Sequence, residues 1–392
     1  MKKQILISSA VVLSLSLFAA RGVLAEDLPQ RDDPDFNPPI ENPAYSEGEG
    51  PLVVIDEAHH NLHTITGRYR TFAELLERDG YVVESSEGIY TKFTEDALRD
   101  IDILVVVNAL NEENVDNWKL PTPSAFEDDE IEAVKNWVMK GGSLMLVADH
   151  WPFPGAAEKL ASAFGFSLSN AYTIRANSPG PSDPEHNMIK FQFSDGSLKP
   201  SPIFKGREGF DEAVDLVVSF TGEAFWIQPH FQAKPLLSLP EGTFAFLPST
   251  LAYGLPPTTP TIQTFGLLQG ATLQFDMGKV AMFGEASMFS AQLSATPPAS
   301  WKMGMNNPDA PQNVQFALNV LHWLSGLLPE SPPDCIELGL SQSTTIDQDF
   351  NVHIPCATYH GQNIDLKMTI DLKHTPDKKE FYRFEADYTI IE

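Results

Sequence analysis

Leu52-Val53-Val54-Ile55-Asp56-Glu57 is a run of apolar, mostly β-branched residues that ends abruptly in two carboxylates. The same figure recurs at Ile103-Leu104-Val105-Val106-Val107-Asn108 and at Ser143-Leu144-Met145-Leu146-Val147-Ala148-Asp149-His150. Strands of this kind have no polar alternate positions, hence no solvent face, and they belong in a sheet covered by helices on both sides. The intervening segments supply the helices. Tyr69, Phe72, Leu75 and Leu76 share one face of an amphipathic stretch stopped by Gly80, and Thr94 to Arg99 reads as a short helix. Ser124-Ala125-Phe126-Glu127 has capping-box spacing, the acidic run Glu127 to Glu130 suits the positive end of a helix dipole, and Gly141-Gly142 ends that helix. Tyr81-Val82-Val83 is a further strand. The pattern predicts an α/β fold with a doubly wound, mainly parallel sheet.

Outward from this core the chain is less regular. Residues 165 to 265 read as an inserted mixed region, with strand-like pieces at Ile189–Phe193, Leu216–Phe220 and Thr243–Leu247 between Pro- and Gly-rich loops. Thr272 to Phe283 reads as a hairpin feeding another core strand, and Pro311 opens a helix with Val314, Ala317, Leu318, Leu321 and Leu324 inward and Gly326 at its end. Residues 51–328 therefore form the α/β domain. Pro329 to Pro333 marks a boundary, and the alternation in Ile364-Asp365-Leu366-Lys367-Met368-Thr369-Ile370 predicts a small antiparallel β domain over 329–392.

At the other end, Lys2 and Lys3 precede an apolar stretch from Ile5 to Ala20 and the small-residue close Val23-Leu24-Ala25. That is the anatomy of a secretory signal peptide over 1–25, cleaved before Glu26. Glu26 to Gly50 is rich in Asp, Glu and Pro and reads as an extended linker. The mature protein is expected in the periplasm or outside the cell, without a membrane span. Both cysteines of the chain, Cys335 and Cys356, fall in the C-terminal module, where export makes a disulfide the simplest use; it would stabilise the module by about 3 kcal/mol.

The chain has 392 residues, 26 Lys+Arg against 53 Asp+Glu, and a formal charge of −27. So acidic a surface repels phosphate backbones and anionic lipids, which excludes nucleic acid as a partner.

Ligands of open α/β sheets bind beyond the carboxyl ends of the strands. Here those ends carry Asp56-Glu57-Ala58-His59-His60-Asn61, with His63 close behind, then Asn108, Asp149-His150 and Gly284-Glu285. Asp56, Glu57, His59, His60, Asn108, Asp149, His150 and Glu285 are therefore the candidates for binding or catalysis, with His60 the preferred histidine. A divalent metal, if one binds, would draw on His60, Asp149, His150 and Glu285, since imidazole and carboxylate suit Zn or Mn and could activate water. No HExxH spacing occurs. Equally, a His–carboxylate pair could do acid–base work or orient a sugar. Trp151, Phe153, Phe225, Trp226 and Trp301 are candidates for an aromatic wall. A nucleophile is poorly supported: there is no GxSxG, and Ser287 is isolated.

Asp56 to Asn61, Gly141-Gly142-Ser143-Leu144, Asp149-His150-Trp151-Pro152-Phe153, Ser219 to Phe225 and Gly284 to Gln292 resemble an uncharacterised bacterial family of the class I glutamine amidotransferase-like superfamily. The resemblance spans roughly Leu52 to Gly326 and implies a flavodoxin-like sheet. It does not imply amidotransferase activity, because the superfamily's active enzymes present a nucleophilic Cys after a central strand, where this chain has Asp149-His150. The C-terminal module is similar to accessory domains of exported proteins. The function expected is binding of a small polar ligand, a carbohydrate or cell-envelope fragment, at the strand ends, with a hydrolase using the same groups as the alternative. The C-terminal module is the candidate contact for a cell-envelope partner.

Overall fold

The computed structural model describes residues 30–175, 188–250, 258–294 and 301–329, together with the backbone of 350–359 and 362–370. The signal peptide expected over 1–25 lies outside the described residues, and so does the expected disulfide, since Cys335 is not among them and only the backbone is described at Cys356.

In chain order the first elements are β1 (Gln30–Asp32), β2 (Leu52–Ile55), α1 (Arg70–Arg78), β3 (Val82–Ser85) and α2 (Glu95–Leu98). β4 (Ile103–Val107), α3 (Glu112–Val115), α4 (Asp128–Met139), β5 (Ser143–Val147) and α5 (Phe153–Ala163) follow. The mixed region contributes β6 (Phe166–Leu168), β7 (Tyr172–Arg175), β8 (Ile189–Gln192), β9 (Leu216–Ser219), β10 (Phe225–Ile227), β11 (Lys234–Ser238), β12 (Thr243–Phe246) and β13 (Thr261–Gln263). The chain then returns through β14 (Leu268–Phe275), β15 (Gly278–Phe283), β16 (Ala291–Ser294), β17 (Trp301–Gly304) and α6 (Asn313–Leu324), and the C-terminal module shows β18 (Phe350–Tyr359) and β19 (Gln362–Ile370).

The central sheet is mixed α/β architecture with the order β3-β2-β4-β5-β15-β14-β10-β6, and β11 also pairs with β14. Its half from β3 to β15 is parallel, while β14, β10, β6 and β11 join antiparallel. Pleating sorts the core. Val53, Ile55, Val105, Val107, Met145 and Val147 face one layer, with Phe72 and Leu75 of α1 and Phe316 and Leu321 of α6. Val54, Leu104, Val106, Leu144 and Leu146 face the other, with Val134 and Trp137 of α4 and Leu160 of α5. The mainly parallel sheet expected from the apolar runs is thus present, and its two covered faces explain why those runs lack polar residues.

The β14–β15 hairpin turns tightly against the end of α4. A Cβ on Gly278 would lie 2.1 Å from the Val138 carbonyl oxygen and 2.2 Å from that of Gly142, so only glycine fits. The helix start differs by a few residues from the expected one. Glu127, not Ser124, is the N-cap of α4, and the Glu130 carboxylate accepts the Glu127 N–H at 2.8 Å, while Ser124 closes a separate turn with Phe126.

From Gln30 onward the acidic Pro-rich segment expected to be a linker lies along the domain as a strap. β1 pairs antiparallel with β16. Asp32 takes Arg70 Nε at 2.5 Å and the Thr71 hydroxyl at 3.1 Å, Asp33 is buried against Asn306, and Arg78 donates to the Pro38 carbonyl. The expectation rested on missing apolar periodicity. What holds the strap is a set of carboxylate and backbone hydrogen bonds, which leave no periodicity in sequence. In the C-terminal module β18 and β19 form an antiparallel pair.

Candidate functional site

Register brings the strand ends together. Val107 aligns with Val147 and Val147 with Phe283, so Asn108, Ala148-Asp149 and Gly284-Glu285 leave the sheet side by side, roughly 4.8 Å apart from strand to strand. Asp149 and Glu285 continue the same pleat and are both buried, at 7% and 1% exposure. Glu285 folds back as the cap of the turn that follows it. Its two oxygens accept the N–H groups of Ser287 and Met288, each at 2.8 Å. Burial, and next the negative charge of Asp149, push its pKa up to about 8 against the pull of those hydrogen bonds. Burial beside a like charge thus favours the protonated form of Glu285. Asp149 itself accepts its neighbour His150 N–H at 2.7 Å and lies 3.4 Å from the Ala286 N–H.

Asn108 is the joint of this cluster. Its φ of +48° turns the chain sharply as it leaves β4, a conformation asparagine tolerates better than most residues. Its Oδ1 accepts the Asp149 N–H at 2.8 Å, and its Nδ2 lies 3.2 Å from His63 Nδ1. His63 is 2% exposed, with Tyr69 edge-on at a ring separation of 5.0 Å. Burial, then the positive charges of Arg68 and His150, hold its pKa well below the usual histidine range. The Tyr69 hydroxyl donates to the Ala286 carbonyl at 3.0 Å. Its own ionisation is opposed by burial and by the charges of Glu285 and Asp149.

His150 closes the group on its open side. Its Nδ1 is 2.8 Å from the Trp151 carbonyl oxygen, which can only accept, so Nδ1 carries the proton and Nε2 is the lone pair of the neutral ring. The ring stacks on Tyr172 at 4.3 Å and 22°, with Trp118 at 6.0 Å. These three rings are half-buried. Of the aromatic residues expected to wall a pocket, Trp151 and Phe153 are buried behind these rings, Phe153 at 5.9 Å from His150 and 5.3 Å from Trp118 and Trp151 at 6.1 Å from Trp118. The others are elsewhere: Phe225 is buried in the core, Trp301 packs on Phe220, and Trp226 is exposed on β10.

The remaining candidates from the first strand end separate from this cluster. Asp56 continues β2 onto the opposite face, where its carboxylate holds His59 Nδ1 at 2.9 Å and receives the Tyr90 hydroxyl at 3.3 Å. His59 Nε2 reaches Glu130 at the start of α4 at 3.1 Å, and Phe93 and Phe126 pack around the ring at 4.4 and 4.8 Å. Burial disfavours the charged ring, but the hydrogen bonds and charges of Asp56 and then Glu130 outweigh it and raise the pKa. This is a buried ion-pair bridge clamping α4 to the sheet. His60, the histidine preferred from sequence, is exposed at a φ of +50°. Glu57 accepts the Ile65 N–H at 2.6 Å and shapes the loop after β2; burial raises its pKa despite that bond, with the charges of Glu87 and Asp56 adding to the rise.

A third acid borders the cluster. Glu223 is fully buried, its Oε2 accepts from Ser169 N–H, Asn170 N–H and the Ser169 hydroxyl at 3.0, 3.2 and 3.3 Å, and its Oε1 has no partner. Burial raises its pKa well above the usual carboxylate range despite those bonds. The Thr221-Gly222-Glu223 loop lies tight on the end of β15. Gly222 has a φ of +86°, and a Cβ there would come 2.3 Å from the Gly284 carbonyl oxygen and 2.8 Å from Glu285 Cβ.

Among the described residues no group of three or more His, Cys, Asp or Glu side chains is placed to hold a metal ion. Both Glu285 oxygens accept backbone N–H groups and His60 stands apart. His60, Asp149, His150 and Glu285 thus do not form such a group as they are placed. A cavity of about 480 Å³ lies at the amino ends of β4 and β5, lined by Glu95, Arg99, Trp137 and Lys140, and shares none of this chemistry.

No family model matches the sequence, and no curated protein matches it. Solved structures of similar arrangement include a putative ThuA-like protein from Bacteroides uniformis, 11% identical with a TM-score of 0.36 over 74% of this chain and 94% of that one. Another putative ThuA-like protein, from Parabacteroides merdae, is 9% identical with a TM-score of 0.38 over 73% and 94%. A cytoplasmic protein from Salmonella typhimurium is 14% identical with a TM-score of 0.39 over 70% and 98%. ThuA-like proteins have the class I glutamine amidotransferase-like fold.

Proposed function

We propose that this chain is an exported member of the amidotransferase-like superfamily that lacks the nucleophilic Cys and binds a small, neutral, hydroxyl-rich ligand, a carbohydrate or cell-envelope fragment, at the carboxyl edge of its sheet. One observation carries the reading: the half-buried ring of His150, stacked on Tyr172 with Trp118 at 6.0 Å, belongs to the residue that follows Asp149 and whose backbone N–H the Asp149 carboxylate accepts. Aromatic faces take the C–H side of a sugar while a fixed carboxylate takes its hydroxyls, the combination of apolar wall and few convergent polar groups that small-ligand sites use. The test is a thermal-shift screen with mono- and disaccharides and peptidoglycan fragments. Asp149→Asn and His150→Ala should abolish the shift with the circular dichroism spectrum unchanged; an undiminished shift in both removes this site.

The raised pKa of Glu285, buried at the same strand edge as Asp149, favours a second reading, a metal-independent hydrolase in which Glu285 gives a proton to the substrate. Turnover of chromogenic glycosides that survives chelation and is lost in Asp149→Asn would establish it. We further propose cleavage before Glu26 and association of the C-terminal module with a cell-envelope partner. N-terminal sequencing and fractionation of the full chain against a chain ending at 328 test these two.

A further inference from the structure

The hydrogen bonds of Asn108 fix the tautomer of His63. The Asp149 backbone N–H can only donate, so the Asn108 atom 2.8 Å away is the carbonyl oxygen Oδ1. The other end of that amide is then an NH₂, which can only donate, and it faces His63 Nδ1 at 3.2 Å. Nδ1 is therefore the acceptor of the ring, and the single proton of neutral His63 resides on Nε2. That nitrogen is buried and has no hydrogen-bond partner. Buried N–H groups are nearly always satisfied, so an orphan donor inside a cluster of this kind calls for an acceptor. His63 is tied through Asn108 to Asp149, and Tyr69, packed on the imidazole, is hydrogen-bonded to Ala286 next to Glu285. The donor thus belongs to the same layer as the carboxyl pair.

We propose that His63 is a ligand-binding residue, donating from Nε2 to a neutral acceptor oxygen of the ligand while Asp149 accepts from a hydroxyl on the same molecule. The chemical class is a neutral vicinal diol or hydroxy-carbonyl group, as in a sugar. An anion would meet the Asp149–Glu285 pair, and a simple cation would leave the His63 donor unsatisfied. This assignment rests on the proposed binding function of the edge and adds to it a residue, a tautomer and a polarity.

The test is ¹⁵N NMR of the histidine-labelled full chain at pH 7, with D-glucose, D-galactose and N-acetyl-D-glucosamine as probes. The proposal expects a neutral His63 protonated on Nε2, a shift of that resonance on adding a binding sugar, and about tenfold weaker binding in His63→Phe. Asn108→Asp removes the donor facing Nδ1 and should place a proton there, which checks the tautomer logic without deleting the ring. A wild-type ring protonated on Nδ1 overturns the proposal. So does an Nε2 resonance that stays unmoved at saturating sugar, the signature of an internal water. If a sugar stabilises the wild type, fails with Asp149→Asn and still binds His63→Phe at full strength, His63 is removed and the binding function stands. If none of the three sugars moves the resonance or the melting temperature, both are overturned.

Discussion

Glu285→Gln is the most informative single change, because it removes one titration and leaves the fold of the edge in place. In the folded protein the Glu285 pKa is pushed from 4.5 to about 8 by burial and by Asp149. A carboxyl raised on folding contributes no penalty below its unfolded pKa and an increasing one as pH rises toward its folded pKa, because the native state holds a proton that the unfolded chain has released. At ~1.4 kcal/mol per pKa unit, the cost of carrying Glu285 grows by roughly 4 kcal/mol between about pH 5 and pH 9. Glutamine has no such titration. Its carbonyl oxygen can accept only from one side, so one of the N–H groups of Ser287 and Met288 loses its acceptor and faces the new NH₂, a loss of about 1–3 kcal/mol at any pH. The variant should therefore be less stable than wild type near pH 5 and more stable near pH 9. The assay is urea denaturation of both proteins at pH 5, 7 and 9, comparing midpoints at equal m-value. Taking the difference between the two proteins cancels the titrations of His59, Glu57 and Glu223, which also depart from their ordinary values. A wild-type-minus-variant difference that stays constant across the three pH values refutes the raised pKa of the buried Glu285 carboxyl.

The His59 bridge should act in the opposite functional sense, structural but silent in binding. His59→Ala leaves the Asp56 and Glu130 carboxylates uncompensated and should cost about 3–5 kcal/mol in urea unfolding while sugar-induced shifts persist. Because the His59 pKa is raised, its share of stability is full below the unfolded value near 6.5 and fades as pH rises through the folded one, so this cost should shrink in alkaline buffer. Gly222→Ala meets both a left-handed backbone and the Gly284 carbonyl and should lose roughly 3 kcal/mol or more, against about 1–2 kcal/mol for Gly88→Ala, where φ is +82° but no atom lies within 4 Å; equal losses would show that the loop does not press on the end of β15. Arg70→Ala removes the anchor of Asp32 and should speed limited proteolysis within 30–50 several-fold, whereas an unchanged cleavage rate would mean that the strap is held elsewhere.

The sheet and its helices were legible because burial on both faces leaves its mark on local sequence. Val105, Val106 and Val107 have no solvent side in any register, so an uninterrupted apolar run predicts a covered parallel strand before any contact is known. The same logic located the strand ends, and with them Asn108, Asp149, His150 and Glu285. Periodicity says nothing of which way a side chain turns after the last residue of a strand. Asp56 and Asp149 occupy the same kind of position, yet pleat and register send Asp149 toward Glu285 and Asp56 to the other face, against His59 and Glu130. The strap over 30–50 was hidden for a related reason, since its bonds run to Arg70, Thr71 and Asn306, remote in sequence and silent in composition. Trp118, Tyr172 and Glu223 likewise carry no local signal: Trp118 and Glu223 lie in loops and Tyr172 opens β7, and each reaches the edge by a path that depends on what it packs against. Local hydrophobic pattern thus determined the layers of this protein and the rim on which its polar groups stand. Which of those groups come together at one edge and which clamp a helix was decided only by tertiary register, because electrostatic coupling and hydrogen bonding depend on distances of a few ångströms between residues far apart in the chain.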